Sequence, residues 1–250
     1  MYELGCFPDG FTVTIDRPPQ GIILPTENVV GEDFVEEKIW GYLMGNEVRK
    51  IGVCGDGGIG KTTIMKHINN ELLSVTKFDR VIWVHVSYPL SVINLQENIA
   101  HAIDDKLRLP KGEDKVRRAA TLMSIMKGVG RYVLILDDVW EVFSLSEVGI
   151  LKPTIQNGSK IVITSRSSDV CQKMLCKIVK VKPLSCLESF NLFFDKVGHH
   201  VLQVPNLEGI LKLIVEECVG LPLAIVVIAQ SMRGEDDVEV WKNALNELQE

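Results

Sequence analysis

The segment Gly55–Thr62, with the sequence GDGGIGKT, decides the fold of this chain. It matches the pattern GxxxxGK[ST], and it stands between an apolar run at Ile51–Cys54 and a helical pattern that begins near Lys61. Glycines let the backbone turn tightly and present successive N–H groups to an anion, and the helix directs the positive end of its dipole to the same place. The segment therefore predicts a phosphate-binding loop; the alternative is a glycine-rich turn that matches by chance.

The residue types in the loop favour a nucleotide that is bound together with Mg²⁺. The ammonium of Lys61 is expected to bridge the β- and γ-phosphates, and the hydroxyl of Thr62 is expected to bind Mg²⁺. Thr63 is a candidate to reach the α-phosphate. The remaining predicted nucleotide-binding residues of the loop are Gly55, Gly57, Gly58, Ile59 and Gly60.

A second apolar run, Tyr132–Leu136, ends in two carboxylates. Asp137 is the expected partner of Thr62 in binding Mg²⁺. Asp138 is a candidate catalytic residue that orients or deprotonates an attacking water. Because neighbouring residues of a strand point to opposite faces, both roles together require a local bend. The alternative, a pair of aspartates that caps the next helix, stays open at this point.

A third candidate is Arg166, which follows the apolar run Lys160–Thr164. A guanidinium at the end of this strand is suited to contact a γ-phosphate and so to distinguish ATP from ADP. The alternative is a solvated surface arginine, which is the commoner environment of this residue.

Further strands and helices follow from the pattern around the loop. The apolar runs are continuous, as a parallel sheet covered on both faces requires. The predicted strands are Ile51–Cys54, Val81–Val86, Tyr132–Leu136, Lys160–Thr164 and Ile178–Val181. Beyond Lys182 the pattern is helical only, and the predicted helices are Leu187–Val197, Leu207–Val219, Leu221–Met232 and Val238–Leu248. The fold class is α/β: a parallel sheet of the P-loop NTPase type covered by helices, followed by a small all-helical subdomain.

The strand and helix pattern divides the chain into three regions. Residues 1–28 are rich in proline and glycine, which predicts an extended linker or arm. Residues 29–182 form the predicted nucleotide-binding domain, and residues 183–250 form the predicted helical subdomain.

Composition limits the classes of partner. The net charge is −6, so bulk electrostatics give no support for a specific nucleic-acid partner. Trp83, Trp140 and Trp241 are predicted to be packing residues rather than a platform on which bases stack. The longest apolar stretch, Leu221–Ala229, is far shorter than the roughly 20 residues that span a bilayer. With no secretory signal at the start, we expect a cytoplasmic protein without a transmembrane segment.

Five motifs in this order resemble a known family: GDGGIGKTT, FDRVIWVHVS, LILDDVW, GSKIVITSR and GLPLA, at Gly55–Thr63, Phe78–Ser87, Leu134–Trp140, Gly158–Arg166 and Gly220–Ala224. They resemble the NB-ARC nucleotide-binding module of plant disease-resistance proteins, intracellular immune receptors with leucine-rich repeats. The Trp140 after the aspartates is similar to the coiled-coil subclass. The resemblance extends from about Pro25 to the C-terminus.

The resemblance implies more than the residues do. It implies an adenine nucleotide and a switch: an ADP-bound resting state and an ATP-bound state that self-associates and signals to protein partners. It implies that Arg166 senses the γ-phosphate, that Val30 and Gly31 line the adenine pocket, and that Pro222 packs on the nucleotide. From the residues alone, Gly220 ends one helix and Pro222 begins the next.

The chain departs from the family's full pattern. It ends after one helical subdomain, before the family's winged-helix-like unit with its Met-His-Asp motif and before the repeats, so we expect a truncated form. Three functions stay open: a switch of plant defence with at most slow ATP hydrolysis, a nucleotide-independent adaptor or decoy, and a P-loop kinase or rapid ATPase. The third needs an arginine-bearing lid, for which residues 183–250 offer only Arg233.

Overall fold

The predicted parallel sheet is present in the computed structural model, which describes residues 20–26, 33–110, 112 and 114–249. Within this part of the chain the strands are β1 (Lys50–Cys54), β2 (Arg80–His85), β3 (Tyr132–Asp137), β4 (Lys160–Ser165) and β5 (Lys177–Lys180). They lie in the order β2-β3-β4-β1-β5, and every pairing is parallel. Each predicted strand is confirmed to within one residue at either end.

Helices cover both faces of the sheet and continue beyond it. They are α1 (Asp33–Met44), α2 (Lys61–Leu72), α3 (Val92–Ile103), α4 (Lys115–Gly128), α5 (Leu145–Val148), α6 (Ser168–Lys173), α7 (Cys186–Val197), α8 (Glu208–Glu217), α9 (Pro222–Ser231) and α10 (Val238–Gln249), with a 3₁₀ helix at His199–Gln203 between α7 and α8.

The central strand β3 explains why its apolar run is continuous. Val133 and Ile135 belong to the core under α1 and α2, whereas Leu134 and Leu136 belong to the core under α3 and α4. Successive residues of a strand point to opposite faces, so a strand with a core on both sides needs an apolar residue at each position. The fold class predicted from the sequence is therefore confirmed.

The helix that follows the loop is amphipathic, as its spacing predicted. Ile64, Ile68 and Leu72 of α2 are fully buried in the core that also contains Ile51 and Val53 of β1. Strand and helix thus pack against each other on either side of the loop. This packing holds the loop at the carboxyl end of the sheet.

Part of the predicted arm is described and lies along α2. The backbone N–H of Leu24 donates to Asn70 Oδ1 at 2.9 Å, and Asn70 Nδ2 donates back to the carbonyl of Leu24 at 2.8 Å. Asn69 Nδ2 donates to the carbonyl of Ile22 at 2.9 Å, and Gln20 forms a parallel bridge with Arg80 of the edge strand β2. Residues 20–26 are therefore fastened to α2 and β2 by these bonds, and the predicted arm over residues 1–28 stays a prediction.

The helices α7–α10 have a core of their own. Phe193 and Trp241 are fully buried there, and Ser185 and Glu188 form a capping box at the start of α7. Because this core is separate from the two cores on the opposite faces of the sheet, the α7–α10 region is consistent with a second subdomain. The boundary at 182/183 stays a prediction.

Candidate functional site

The glycine loop turns through backbone conformations that side chains disfavour. It connects β1 to α2, and Gly58 and Gly60 have φ angles of 77° and 98°. Gly60 is also the residue that precedes α2, so no side chain caps the first amides of that helix. Ile59 is 1% exposed and anchors the loop in the core, which leaves its backbone as the part available to a ligand. The amides and the helix dipole together form a site for an anion.

Lys61 is held across this loop. Its side chain is 7% exposed, and its ammonium donates to the carbonyls of Gly55 and Asp56, each at 2.8 Å. Burial lowers the pKa of Lys61, the nearby Arg166 lowers it further, and the surrounding aspartates raise it. Because burial disfavours the charged form of this lysine, additional negative charge from a phosphate would stabilise its ammonium.

Thr62 and Asp137 lie together, as the sequence predicted. The Thr62 hydroxyl donates to Asp137 Oδ1 at 3.0 Å and lies 3.2 Å from Oδ2. A hydroxyl and a carboxylate at this spacing are the hard oxygen donors that Mg²⁺ prefers. These two residues therefore fit the ion, and they are the ones that would hold it.

The local bend required at Asp138 is present. Asp138 has a φ of 61°, which ends β3 and turns its side chain away from the direction that a continued strand would impose. The capping alternative is not supported, because the next helix, α5, begins only at Leu145 after Ser144. Both carboxylate oxygens of Asp138 have neighbours: Oδ2 accepts from Trp140 Nε1 at 2.9 Å, and Oδ1 lies 3.9 Å from Arg166 Nε. Its role as a base stays a prediction.

Arg166 lies at the same mouth, directly after β4. Its side chain is half-exposed, and its Nη1 lies 3.2 Å from the position that a Cβ at Gly57 would occupy. The guanidinium therefore lies against the phosphate loop rather than away in solvent. Trp140, expected among the packing residues, is 41% exposed and stacks on this guanidinium at 4.4 Å.

The helical subdomain closes one side of the site. The backbone N–H of Leu223, in the first turn of α9, donates to the carbonyl of Gly58 at 3.2 Å. Pro222 is the first residue of α9, and Gly220, with a φ of 69°, follows α8, so the helix-boundary interpretation of this motif is correct. Pro222 also lines the cavity; that it packs on the nucleotide, as the resemblance implied, stays a prediction.

One cavity of about 810 Å³ joins these groups, a size within the range of small-molecule sites. It is lined by Gly57, Gly58, Ile59, Gly60, Lys61, Thr62, Thr63, Asp137, Asp138 and Arg166 from the sheet domain and by Leu184, Leu192, Lys196, Pro222, Leu223 and Val226 from the helical part. Gly55 contributes through its carbonyl bond to Lys61. Val30 and Gly31 lie outside the described residues.

Several cavity residues were not found from the sequence. Pro25 and Thr26 of the arm, Lys66 of α2 and His85 of β2 also line it. His85 Nδ1 lies 3.6 Å from Asp137 Oδ2. The position of His85 at the carboxyl end of a strand was a usable signal, because ligands of open α/β sheets bind at that edge. No local sequence feature distinguishes Pro25, Thr26 or Lys66.

Thr164 is a further residue that the sequence did not single out. Its hydroxyl donates to Asp137 Oδ1 at 2.7 Å and accepts from the backbone N–H of Asp138 at 2.8 Å, and Thr164 is 1% exposed. A single buried hydroxyl on β4 thus orients both aspartates at the end of β3. It fixes the carboxylate that would bind Mg²⁺.

Replacing Thr164 by valine is expected to lower the free energy of unfolding by about 2 kcal/mol, because a buried N–H and a carboxylate oxygen each lose a partner at nearly constant volume. Urea unfolding followed by circular dichroism measures this. The control is Thr121→Val: the Thr121 hydroxyl donates to the carbonyl of Arg117 at the exposed surface, and its loss should change the free energy by less than about 0.5 kcal/mol. Equal losses in both variants would contradict the assigned role.

The loop between β1 and α2, the aspartate at the end of β3 and the parallel sheet define the class of P-loop NTPases. The NB-ARC domain family matches residues 32–203, more than half of the chain. The chain therefore belongs to the NB-ARC domain family, as its five motifs indicated.

The relatives are plant disease resistance proteins. Disease resistance protein UNI of Arabidopsis thaliana is 36% identical over 230 residues, which cover 89% of this chain and 25% of that protein. "Probable disease resistance protein At5g63020", also of Arabidopsis thaliana, is 34% identical over 227 residues, which cover 90% of this chain and 26% of that protein. The chain thus spans about a quarter of the length of these curated relatives.

Solved structures share the fold at low identity. A Walker-type ATPase of Pyrococcus abyssi superposes with a TM-score of 0.59 at 13% identity, covering 93% of this chain and 75% of that one. A signal transduction ATPase with numerous domains (STAND) from Pyrococcus horikoshii, with a tetratricopeptide repeat sensor, gives a TM-score of 0.51 at 17% identity, covering 95% and 34%. Over the described residues, each helix is too short or too polar to cross a bilayer.

Proposed function

We propose that this chain is the nucleotide-binding module of a plant immune receptor, a switch that binds ADP or ATP with Mg²⁺. The observation that carries the proposal is the convergence of Lys61, Thr62, Asp137 and Arg166 on one cavity that the helical subdomain also lines. Lys61 and Thr62 begin α2 and Asp137 ends β3, so positive charge and Mg²⁺ ligands come together from two elements of the sheet domain. Arg166 adds a group whose charge suits a third phosphate.

The contact between loop and helical subdomain supports a switch. The Leu223 N–H bonds directly to the Gly58 carbonyl, and a Cβ at Gly58 would lie 2.7 Å from the Leu223 Cβ. Because the fit is this close, a nucleotide that changes the conformation of the loop must change the contact with α9. Each nucleotide then shifts the packing by its differential affinity for the two arrangements.

The surroundings of Asp138 support slow hydrolysis rather than rapid turnover. One of its oxygens accepts from an indole N–H and the other faces a guanidinium. Each contact competes with an attacking water for the carboxylate oxygens. This favours a switch with at most slow ATPase activity over a kinase or a rapid ATPase. The cavity lined by Lys61, Thr62 and Asp137 favours a nucleotide-dependent role over an adaptor or decoy.

The finer assignments rest on the family resemblance carried by the five sequence motifs. Adenine specificity, with Val30 and Gly31 at the adenine, protein partners in immune signalling, self-association of the ATP-bound form and a cytoplasmic location belong to this proposal. The related proteins are described as disease resistance proteins, and this chain corresponds to about a quarter of their length. Mg²⁺, held by Thr62 and Asp137, would neutralise phosphate charge.

ADP with Mg²⁺ is expected to raise the melting temperature of this chain, because a ligand that binds only the native state stabilises it. At a hundred times its dissociation constant the gain is about 2.7 kcal/mol, which corresponds to roughly 5–10 °C for a chain of this size. Differential scanning fluorimetry with ADP, ATP and GTP, each with Mg²⁺ and with EDTA, measures it. A smaller shift with GTP and with EDTA is expected; no shift at millimolar ADP would refute the proposal.

A further inference from the structure

Arg166 rests on an aromatic surface at the mouth of the nucleotide site. Its guanidinium carbon lies 4.4 Å from the centroid of the Trp140 ring, within the roughly 6 Å over which an indole face attracts a cation. Trp140 in turn packs against Tyr88, with ring centroids 5.3 Å apart. The two rings support the guanidinium from one side.

The orientation of the indole is fixed by Asp138. Trp140 Nε1 donates to Asp138 Oδ2 at 2.9 Å, and Asp138 Oδ1 lies 3.9 Å from Arg166 Nε. The backbone of Asp138 is itself held by the buried hydroxyl of Thr164. The indole therefore has a defined angle, and Arg166 contacts both its face and the carboxylate to which it is bonded.

This arrangement places the guanidinium beside the phosphate loop. Arg166 Nη1 lies 3.2 Å from the position of a Cβ at Gly57, and Arg166 lines the same cavity as Lys61 and Thr62. An arginine side chain has many rotamers in solvent, and the conformational entropy lost when binding orders it weakens the affinity. A side chain that is already held beside the phosphates avoids much of that loss.

We propose that Trp140 is a positioning residue that holds Arg166 ready for the third phosphate of a nucleoside triphosphate. Discrimination between triphosphate and diphosphate then depends on an indole that acts through the arginine. The inference rests on the proposed function, because it assigns a role within the same nucleotide site. It predicts an effect on the ratio of two affinities rather than on nucleotide binding in general.

The test is calorimetric titration of this chain with ADP and with the non-hydrolysable β,γ-imido analogue of ATP, both with Mg²⁺. Trp140→Ala should weaken binding of the triphosphate analogue about fivefold, the size expected for a partly exposed cation–π contact. The affinity for ADP should stay within about twofold. Trp140→Phe keeps an aromatic face but loses the indole N–H, so its loss should be intermediate.

A double variant tests whether Trp140 acts through Arg166. Arg166→Ala should lower the affinity for the analogue more than Trp140→Ala, and Arg166→Ala combined with Trp140→Ala should be no weaker than Arg166→Ala alone. Val142→Ala is the matched control, because Val142 is an exposed residue of the same loop, and it should keep the wild-type ratio.

Several outcomes overturn the inference. A Trp140→Ala protein that loses affinity for both nucleotides alike has a structural defect only, and one that binds the triphosphate analogue more tightly shows that Trp140 restrains Arg166. Additive losses in the double variant exclude action through Arg166. If the wild type binds both nucleotides and Trp140→Ala shows the same ratio of the two affinities, this inference alone is overturned. If the wild type binds neither nucleotide, the proposed function is overturned with it.

Discussion

Replacing Lys61 by alanine is expected to weaken binding of both ADP and ATP by about a hundredfold. The ammonium is buried and already oriented by the carbonyls of Gly55 and Asp56. Hydrogen bonds to charged groups contribute roughly 1.5–3 kcal/mol each, and a loss of about 3 kcal/mol corresponds to two orders of magnitude in the dissociation constant. Calorimetric titration with each nucleotide in the presence of Mg²⁺ measures the effect.

The unliganded Lys61→Ala protein should remain folded. The carbonyl partners of Lys61 belong to the partly exposed Gly55 and the exposed Asp56, so water can replace the ammonium there. Burial also lowers the pKa of Lys61, so the charged form is held at some cost when no phosphate is bound. Its melting temperature without nucleotide is therefore expected to stay within about 3 °C of the wild type. Lys173→Ala, an exposed lysine of α6 that pairs with Asp169, is the matched control and should bind nucleotide normally. Wild-type affinity in Lys61→Ala would remove the basis for a phosphate-binding loop.

Replacing Lys160 by methionine is expected to lower the free energy of unfolding by about 3–5 kcal/mol. Lys160 is fully buried in β4, and its ammonium donates to the carbonyls of Tyr42 at 2.9 Å and Gly45 at 2.6 Å and to that of Val48. These acceptors belong to the end of α1 and the loop after it. Methionine fills the volume but leaves three partly buried carbonyls without this donor, and each lost hydrogen bond costs about 1–1.5 kcal/mol. Urea unfolding followed by circular dichroism measures the loss.

The pH dependence of the free energy of unfolding distinguishes the effect of the Lys160 charge from that of its packing volume. Burial lowers the pKa of Lys160 to about 8 from a usual 10.5. Between these values the unfolded chain binds more protons than the folded one, so this lysine makes the wild type more stable as the pH rises from about 8 to 10.5. The gap between wild type and Lys160→Met should therefore widen over that range.

The matched control for this change is Lys177→Met on the edge strand β5. Lys177 is exposed, so the same chemical replacement should alter the free energy of unfolding by less than about 0.5 kcal/mol. If Lys160→Met were as stable as Lys177→Met, the three carbonyl contacts would not contribute to stability.

The sequence was sufficient for features that depend on local spacing. The loop Gly55–Thr62 was recognisable because a phosphate-binding turn needs glycines at positive φ and a helix immediately after them. All five strands were predicted to within one residue. For the inner strands β1, β3 and β4 the reason is that a strand buried on both faces requires an unbroken apolar run. The pairing of Thr62 with Asp137 was also predicted, since both residues lie at the carboxyl end of the sheet.

Other parts of the site depend on which elements become neighbours. Thr164 contacts Asp137 and Asp138 only because β4 lies beside β3 in the order β2-β3-β4-β1-β5. Trp140 was expected to be a packing residue, and only the turn at Asp138 brings its exposed ring under Arg166. Neither contact has a signal in the residues adjacent to it in the chain.

The sequence by itself determined the class of fold and the phosphate-binding chemistry of this protein, because both follow from backbone geometry and side-chain period within short segments. Tertiary structure decided which distant groups complete the site: the hydroxyl of Thr164, the indole of Trp140 and the amide of Leu223. The physical reason is that strand order and the packing of α9 on the loop arise from burying apolar surface across the whole chain, and that process brings together residues far apart in sequence.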